Sequence, residues 1–187
     1  MVSILIDDNL LLRSYHIEDA NDLFRAVSGS REHLRPWLLW VDATTKPEHS
    51  VQFIQMSLQQ QHNQEALALG IFYNRSIIGG IGLHQWDHHL EKAQLGYWVS
   101  KEFEGKGIVT ACLERFIDFV FDKVGMNKLE IHFVPGNKRS ATIASKLGFK
   151  TEGIIRDSYV MHGRYTDLVV TGLLKKEWHD NPRPATR

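Results

Sequence analysis

The chain has 187 residues, 43% hydrophobic and 24% charged, which is globular composition and enough length for one domain with a real core. Its 22 Lys and Arg balance 22 Asp and Glu, so no global field favours nucleic acid or an anionic membrane. The longest apolar runs fall far short of a membrane span, Met1–Asp8 carries no basic residue ahead of its apolar stretch, and Cys112, the one cysteine, forms no internal disulfide, so cytoplasmic residence is the default expectation.

Leu10–Arg13 reads as a first strand. Ala20, Leu23, Phe24 and Val27 recur at helical spacing after it, with Asp19 and Asp22 near the helix start. Thr45-Lys46-Pro47-Glu48 has the pattern of a capping box with proline in the first turn. It opens a second helix whose apolar face carries Val51, Ile54 and Leu58 and which ends in the polar run Gln59–Gln64. Strands are predicted over Ala66–Tyr73, Ser76–Leu83 and Ala93–Val99, with Asn74-Arg75 as the tight turn between the first two. A long helix then carries Val109, Leu113, Phe116, Val120 and Val124 on one face and stops at Gly125. Cys112 sits mid-helix beside Leu113, as a small buried hydrophobe rather than a nucleophile. Lys128–Val134 alternates as a strand, with Leu129, Ile131 and Phe133 on one face and Glu130 and His132 on the other. A short helix from Lys138 to Leu147 ends at Gly148, and Thr151–Met161 and Tyr165–Leu174 form a hairpin across His162-Gly163-Arg164.

The order β-α-α-β-β-β-α-β-α-β-β describes one α+β domain, with a mixed, mostly antiparallel central sheet flanked by helices. The domain is expected over residues 1–178, with residues 179–187 as a flexible tail. The ten histidines do not amount to a metal site: His88 and His89 are adjacent and point apart, and there is no HExxH or Cys/His cluster.

The stretch from Leu95 to Thr110 carries the most chemical information. It reads as a strand, a glycine loop with Gly105 and Gly107 one residue apart, and a helix start. Glycines let backbone N–H groups turn inward, where they join the unpaired donors and positive dipole end of the following helix as a seat for phosphate. Ordinary turn glycines before a helix would look the same. A Walker loop fails, because Gly105-Lys106 is followed by Gly107 rather than Ser or Thr, and a dinucleotide fingerprint would need glycine where Thr110 stands.

From roughly Leu10 to Trp178 the chain resembles the GCN5-related N-acetyltransferase (GNAT) superfamily, within it the RimJ/RimL branch that acetylates protein N-termini, those of ribosomal proteins included. The resemblance rests on His33–Trp40, Ile77–His84, Leu95–Val99, Gly136–Ser140 with Lys146–Phe149, and Ile155-Arg156 with Gly163–Asp167, all in order. The family's pyrophosphate loop is written Gln/Arg-x-x-Gly-x-Gly/Ala. Here its three defined places hold Glu104, Gly107 and Val109, so two depart, and Lys106 is placed to offset the charge that Glu104 adds.

The resemblance implies acetyl-CoA as cosubstrate, no metal, and attack of a neutral primary amine on the thioester within a ternary complex. It assigns the cosubstrate to Trp98 and Val99, where the family sheet opens, to Gly105, Lys106, Gly107, Ile108, Val109 and Thr110 of the loop and helix start, and to Asn137. It assigns to Ser140 donation to the thiolate sulfur. Helix capping is the competing reading of Asn137 and Ser140. Aligning the last hairpin puts Tyr159 where the branch has an acidic residue, so the base is open among Glu130, His84 and water. Trp37 and Trp40 either line the acceptor groove or pack at the core edge. The acceptor is a protein N-terminus or a small amine or polyamine, with neither direct nucleic-acid nor membrane binding, and a homo-oligomer is allowed. A non-catalytic coenzyme-A-binding module is the reading from another class.

Overall fold

The computed structural model describes residues 1–180. Strands β1 (Ser3–Leu5), β2 (Leu10–Ser14), β3 (Leu67–Tyr73), β4 (Ser76–Asp87), β5 (Lys92–Val99), β6 (Lys128–Phe133), β7 (Lys150–Met161) and β8 (Arg164–Leu174) form one sheet in the order β1-β2-β3-β4-β5-β6-β8-β7. The helices are α1 (Ala20–Gly29), α2 (Arg31–Leu34), α3 (Trp40–Ala43), α4 (Pro47–His62), α5 (Ile108–Phe119), α6 (Lys138–Lys146) and α7 (Lys175–Asp180). This is the expected α+β architecture, with β1, α2, α3 and α7 added. No helix among the described residues is long and apolar enough to cross a membrane.

The chain divides into two compact units. The first comprises Met1–His84 and Gly96–Arg115, the second Gln85–Leu95 and the chain from Phe116 onward.

In the first unit, β2 pairs antiparallel with β1 and β3, and β3 with β4 across the Asn74-Arg75 turn, where both residues take positive φ. Leu23 and Val27 of α1 and Ile54 of α4 are buried in a core with Tyr15, Phe72 and Ile77, while Val51 and Leu58 pack against it half-buried. Each fully buried aliphatic side chain here, Leu23, Val27 and Ile54, contributes about 1.5–3 kcal/mol by leaving water. The capping box expected at Thr45–Glu48 does not form. Lys46 is the N-cap, in extended conformation and without a side-chain bond, and the Thr45 N–H donates instead to His49 Nδ1 at 3.2 Å. α2 and α3 are too short for periodicity to reveal. The Arg31 guanidinium fixes them, donating to the carbonyls of Val41 and Thr44. Cys112 is fully buried, and burial pushes its thiol up to about 12, an effect to which Asp7 adds.

In the second unit, β6 pairs parallel with β5 at Lys128–Glu130 and antiparallel with β8 from Lys128 to Phe133. β7 and β8 form the expected hairpin, joined at His162-Gly163. After Phe119 the α5 backbone widens into a π turn over Val120–Val124, closed by Gly125 in left-handed conformation. The wider turn lets Val120 and Phe121 both bury and leaves Val124 half-buried, which a strict 3.6-residue period misses. α7 continues through Asp180, anchored where Trp178 Nε1 donates to Asp118 Oδ1 at 2.7 Å. Of the residues expected as a tail, His179 and Asp180 belong to α7, and 181–187 lie outside the described residues.

Candidate active site

In the first unit, β5 ends at Trp98-Val99, and the Ser100 N–H donates to the Ile78 carbonyl at 2.7 Å. Opposite Trp98 and Val99 stand Gly79 and Gly80. A Cβ on Gly79 would collide with the Trp98 carbonyl, and one on Gly80 would lie 2.7 Å from Trp98 Nε1 and 2.9 Å from the Tyr15 hydroxyl. The sequence -Gly-Gly- thus lets β4 carry a large indole on its neighbour without displacing either backbone. Trp40 meets Trp98 edge-on at 6.0 Å between ring centroids and remains partly exposed. Trp37 is half-buried.

A single 3-10 turn, Lys101–Phe103, leads from β5 into the glycine loop, and its first N–H is held by Ser30 Oγ at 3.1 Å. Gly105 and Gly107 take φ of +74° and +77°, the left-handed region that only glycine enters at little cost. The first α5 bond runs from the Ala111 N–H to the Gly107 carbonyl at 3.0 Å, so the N–H groups of Ile108, Val109 and Thr110 precede the intrahelical ladder. With the helix dipole behind them these three donors suit a diphosphate. The Val109 side chain is core, leaving only its N–H for a ligand. The donor set of this loop thus fits the phosphates of coenzyme A.

The charge of Glu104 is offset by a different residue from the one expected. Lys101 Nζ pairs with Glu104 Oε2 at 2.6 Å, and His33 Nδ1 lies 3.8 Å from the same oxygen. Lys106 instead lies over the Phe103 ring at 5.0 Å, exposed beside the loop.

In the second unit, Asn137 is the N-cap of α6, its Oδ1 accepting the Ser140 N–H at 3.1 Å. Ser140 is the third helical residue and not the cap, and its hydroxyl has no hydrogen-bond partner among the described residues. The loop residues are thus brought together in one unit, and Asn137 with Ser140 in the other.

The groups weighed as base differ in their surroundings. His84 is exposed on β4, its ring lying over Gly96. Tyr159 is half-buried on β7 opposite Thr166. Glu130 is buried and ion-paired: Lys128 Nζ and Lys92 Nζ approach its Oε1 at 3.2 and 3.5 Å. His132 Nε2 meets its Oε2 at 2.9 Å. Burial alone raises the Glu130 pKa, but the hydrogen bonds from Lys128 and His132 and the charges of Lys128 and Lys92 outweigh it and hold the carboxyl below its usual range. An anion so stabilised is a poor proton acceptor at neutral pH. Among the described residues no group of three or more His, Cys, Asp or Glu could hold a metal ion.

Residues 9–150 match the family model described as "Acetyltransferase (GNAT) domain". Over 179 residues the chain is 31% identical to YdaF of Bacillus subtilis (strain 168), provisionally named a ribosomal N-acetyltransferase, covering 95% of this chain and 98% of that protein. It is 26% identical over 178 residues to the ribosomal protein uS5 alanine N-acetyltransferase of Escherichia coli (strain K12), covering 93% and 92%. Among solved structures it is similar to the microcin C7 self immunity acetyltransferase MccE in complex with acetyl-CoA and AMP, with a TM-score of 0.86 and 26% identity over 90% of this chain and 94% of that one.

Proposed function

The chain belongs to the GNAT acetyltransferase family and is an acetyl-CoA-dependent N-acetyltransferase, and we propose that its acceptor is the N-terminal α-amine of a ribosomal protein in the cytoplasm. The observation that carries this reading is the near full-length similarity to two proteins named for ribosomal acetylation. Charge balance supports it from another side. A chain without net charge has little to offer rRNA phosphates, so a ribosomal role runs through protein.

Acetyl-CoA, when bound, supplies the thioester. The chain's own groups bind and polarise it. The N–H groups of Gly107 to Thr110 take the pyrophosphate, with Gly105 shaping the turn and the Lys106 ammonium alongside. Backbone groups of Trp98 and Val99 hold the pantetheine arm and the thioester carbonyl. Asn137, its Oδ1 engaged with the Ser140 N–H, has its amide N–H groups left for the pantetheine. The Ser140 hydroxyl donates to the sulfur as charge develops there, the moment at which a preoriented donor lowers the barrier. The acceptor amine must be neutral to attack. An α-amine with pKa near 7.7–8.0 reaches that state far more readily than a lysine side chain near 10.4.

The test is steady-state acetyl transfer to peptides with free α-amines, N-blocked lysine peptides and small polyamines in competition. α-Amino peptides outperform, with kcat/KM rising through the α-amine pKa and then flattening. Preferential acetylation of internal lysine, or transfer confined to polyamines, sinks the acceptor assignment. Acetyl-CoA binding without turnover on any acceptor returns the non-catalytic reading.

A further inference from the structure

One hydrogen-bonded chain in the second unit is used by none of the roles above. Glu130 and His132 lie two residues apart on β6 and so share a face. The Glu130 carboxylate is acceptor-only, which requires a hydrogen on His132 Nε2 for the 2.9 Å bond between them. His132 Nδ1 is then the bare nitrogen, and the Gln94 amide donates to it at 3.0 Å. The same Gln94 nitrogen donates to Gln85 Oε1 at 2.7 Å. The order from inside to outside is Glu130, 9% exposed at its side chain, His132 at 17%, then Gln94, then exposed Gln85. The basic lone pair therefore faces the outer end, and the buried end carries fixed negative charge.

The position on β6 is also specific. The strand's register with β5 covers Lys128–Glu130, whereas its register with β8 continues to Phe133 opposite Val169. His132 lies beyond the β5 register and five residues before Asn137. The charged groups around the ring are Glu130 and Lys128 on β6 and Lys92 on β5, with Glu152 of β7 paired to Lys128 at 2.6 Å. Its cross-strand neighbour on β8 is the apolar Val170.

We propose that His132 Nδ1 is the proton acceptor of the reaction, with Glu130 as its positioning residue, an inference that rests on the acetyl-transfer reading above. The amine displaces the Gln94 amide from Nδ1. Its nitrogen bonds to the thioester carbonyl carbon, the C–S bond breaks, the N–H proton passes to Nδ1, and the thiolate departs hydrogen-bonded to Ser140. The imidazolium, stabilised by the Glu130 carboxylate, then returns its proton to the thiolate or to water. Glu130 stays ionised throughout, as its two lysine partners require.

The experiment uses the full chain, with His132→Asn and Glu130→Gln beside wild type. Nitrogen NMR of the free protein reads the His132 tautomer, thermal shift reads acetyl-CoA binding, and kcat against pH at saturating α-amino peptide reads the bound complex. Expected are the Nε2–H tautomer, an unchanged acetyl-CoA shift in His132→Asn, and a kcat lower by on the order of 10²–10⁴-fold with its acid limb reduced to that of the bound α-amine. Glu130→Gln keeps part of the activity and moves the acid limb to lower pH, because losing the carboxylate makes the imidazolium harder to form. An unchanged kcat and acid limb in His132→Asn, or an Nδ1–H tautomer, overturns the proposal. If His132→Asn does not fold, an unmoved acid limb in Glu130→Gln overturns it equally. Dependence on His132 with polyamines as sole acceptors would sustain the base and remove the ribosomal acceptor. Wild type that acetylates no amine overturns both.

Discussion

Asn137 Oδ1 accepts the backbone N–H of Ser140 at 3.1 Å, and this one bond separates the work of two residues that helix capping alone would not distinguish. The cap is the asparagine; the serine hydroxyl is left over. Asn137→Ala should therefore cost about 1 kcal/mol of stability in urea unfolding. Ser140→Ala should leave the unfolding midpoint within a few tenths of a kcal/mol and lower kcat and kcat/KM together, the signature of a contact made in the transition state. A Ser140→Ala protein with full kcat and reduced stability would reverse the two roles.

At the glycine loop, acetyl-CoA at one hundred times its Kd should stabilise the wild type by about 2.7 kcal/mol, while ATP with Mg²⁺ should give no shift. Gly107→Val tests the cradle. Beyond its two chain neighbours no atom lies within 4 Å of the position a Cβ would take, so the substitution acts through φ of +77° and not through a clash. The backbone cost is about 1–3 kcal/mol, relieved by turning the loop and its donors away. The thermal shift with acetyl-CoA should shrink while the far-UV spectrum stays the same.

Gly79→Ala makes a different kind of change. Its Cβ meets the Trp98 carbonyl and comes within 3.1 Å of the Val99 Cα, both backbone, so the strand must move rather than a flexible tip. We expect a loss of about 1–3 kcal/mol in unfolding free energy and weaker acetyl-CoA binding, since the displaced residues are those assigned to the pantetheine arm. Calorimetric titration with acetyl-CoA measures the second effect directly.

Acid should destabilise the fold through Asp19 and Glu130. Burial raises the Asp19 pKa, but paired bonds from Arg13 at 2.7 and 2.9 Å and the His16 N–H outweigh it and hold the carboxyl below its ordinary 3.8. Glu130 is likewise held below its ordinary 4.5. A carboxylate with a depressed folded-state pKa contributes stability that is complete above the unfolded value and lost as pH falls through the folded one. Melting temperature should thus fall as pH drops below about 4.5, Glu130 acting first and Asp19 below its ordinary 3.8. Asp19→Asn should lower neutral-pH stability by roughly 1.5–3 kcal/mol and flatten the acid slope. An unchanged slope in that variant would remove Asp19 from the account.

Whatever depends on near neighbours in the chain was legible from the residues alone. Leu113 and Phe116 mark the buried face of α5, Asn74-Arg75 and His162-Gly163 mark hairpin turns, and Gly105 and Gly107 mark the loop, because side-chain period and φ preference are properties of a few consecutive residues. Tertiary structure decided what depends on partners remote in the chain. α2 and α3 are held by one arginine reaching carbonyls ten and thirteen residues away. Glu130 looked available as a base until the parallel register set Lys92 opposite Lys128 and brought both ammonium groups to it. The same register sets Gln94 opposite Glu130 and so delivers its amide to His132, 38 residues further on. A polar side chain's proton affinity is fixed by the charges and donors within a few ångströms, and on a sheet those come from whichever strand lies alongside.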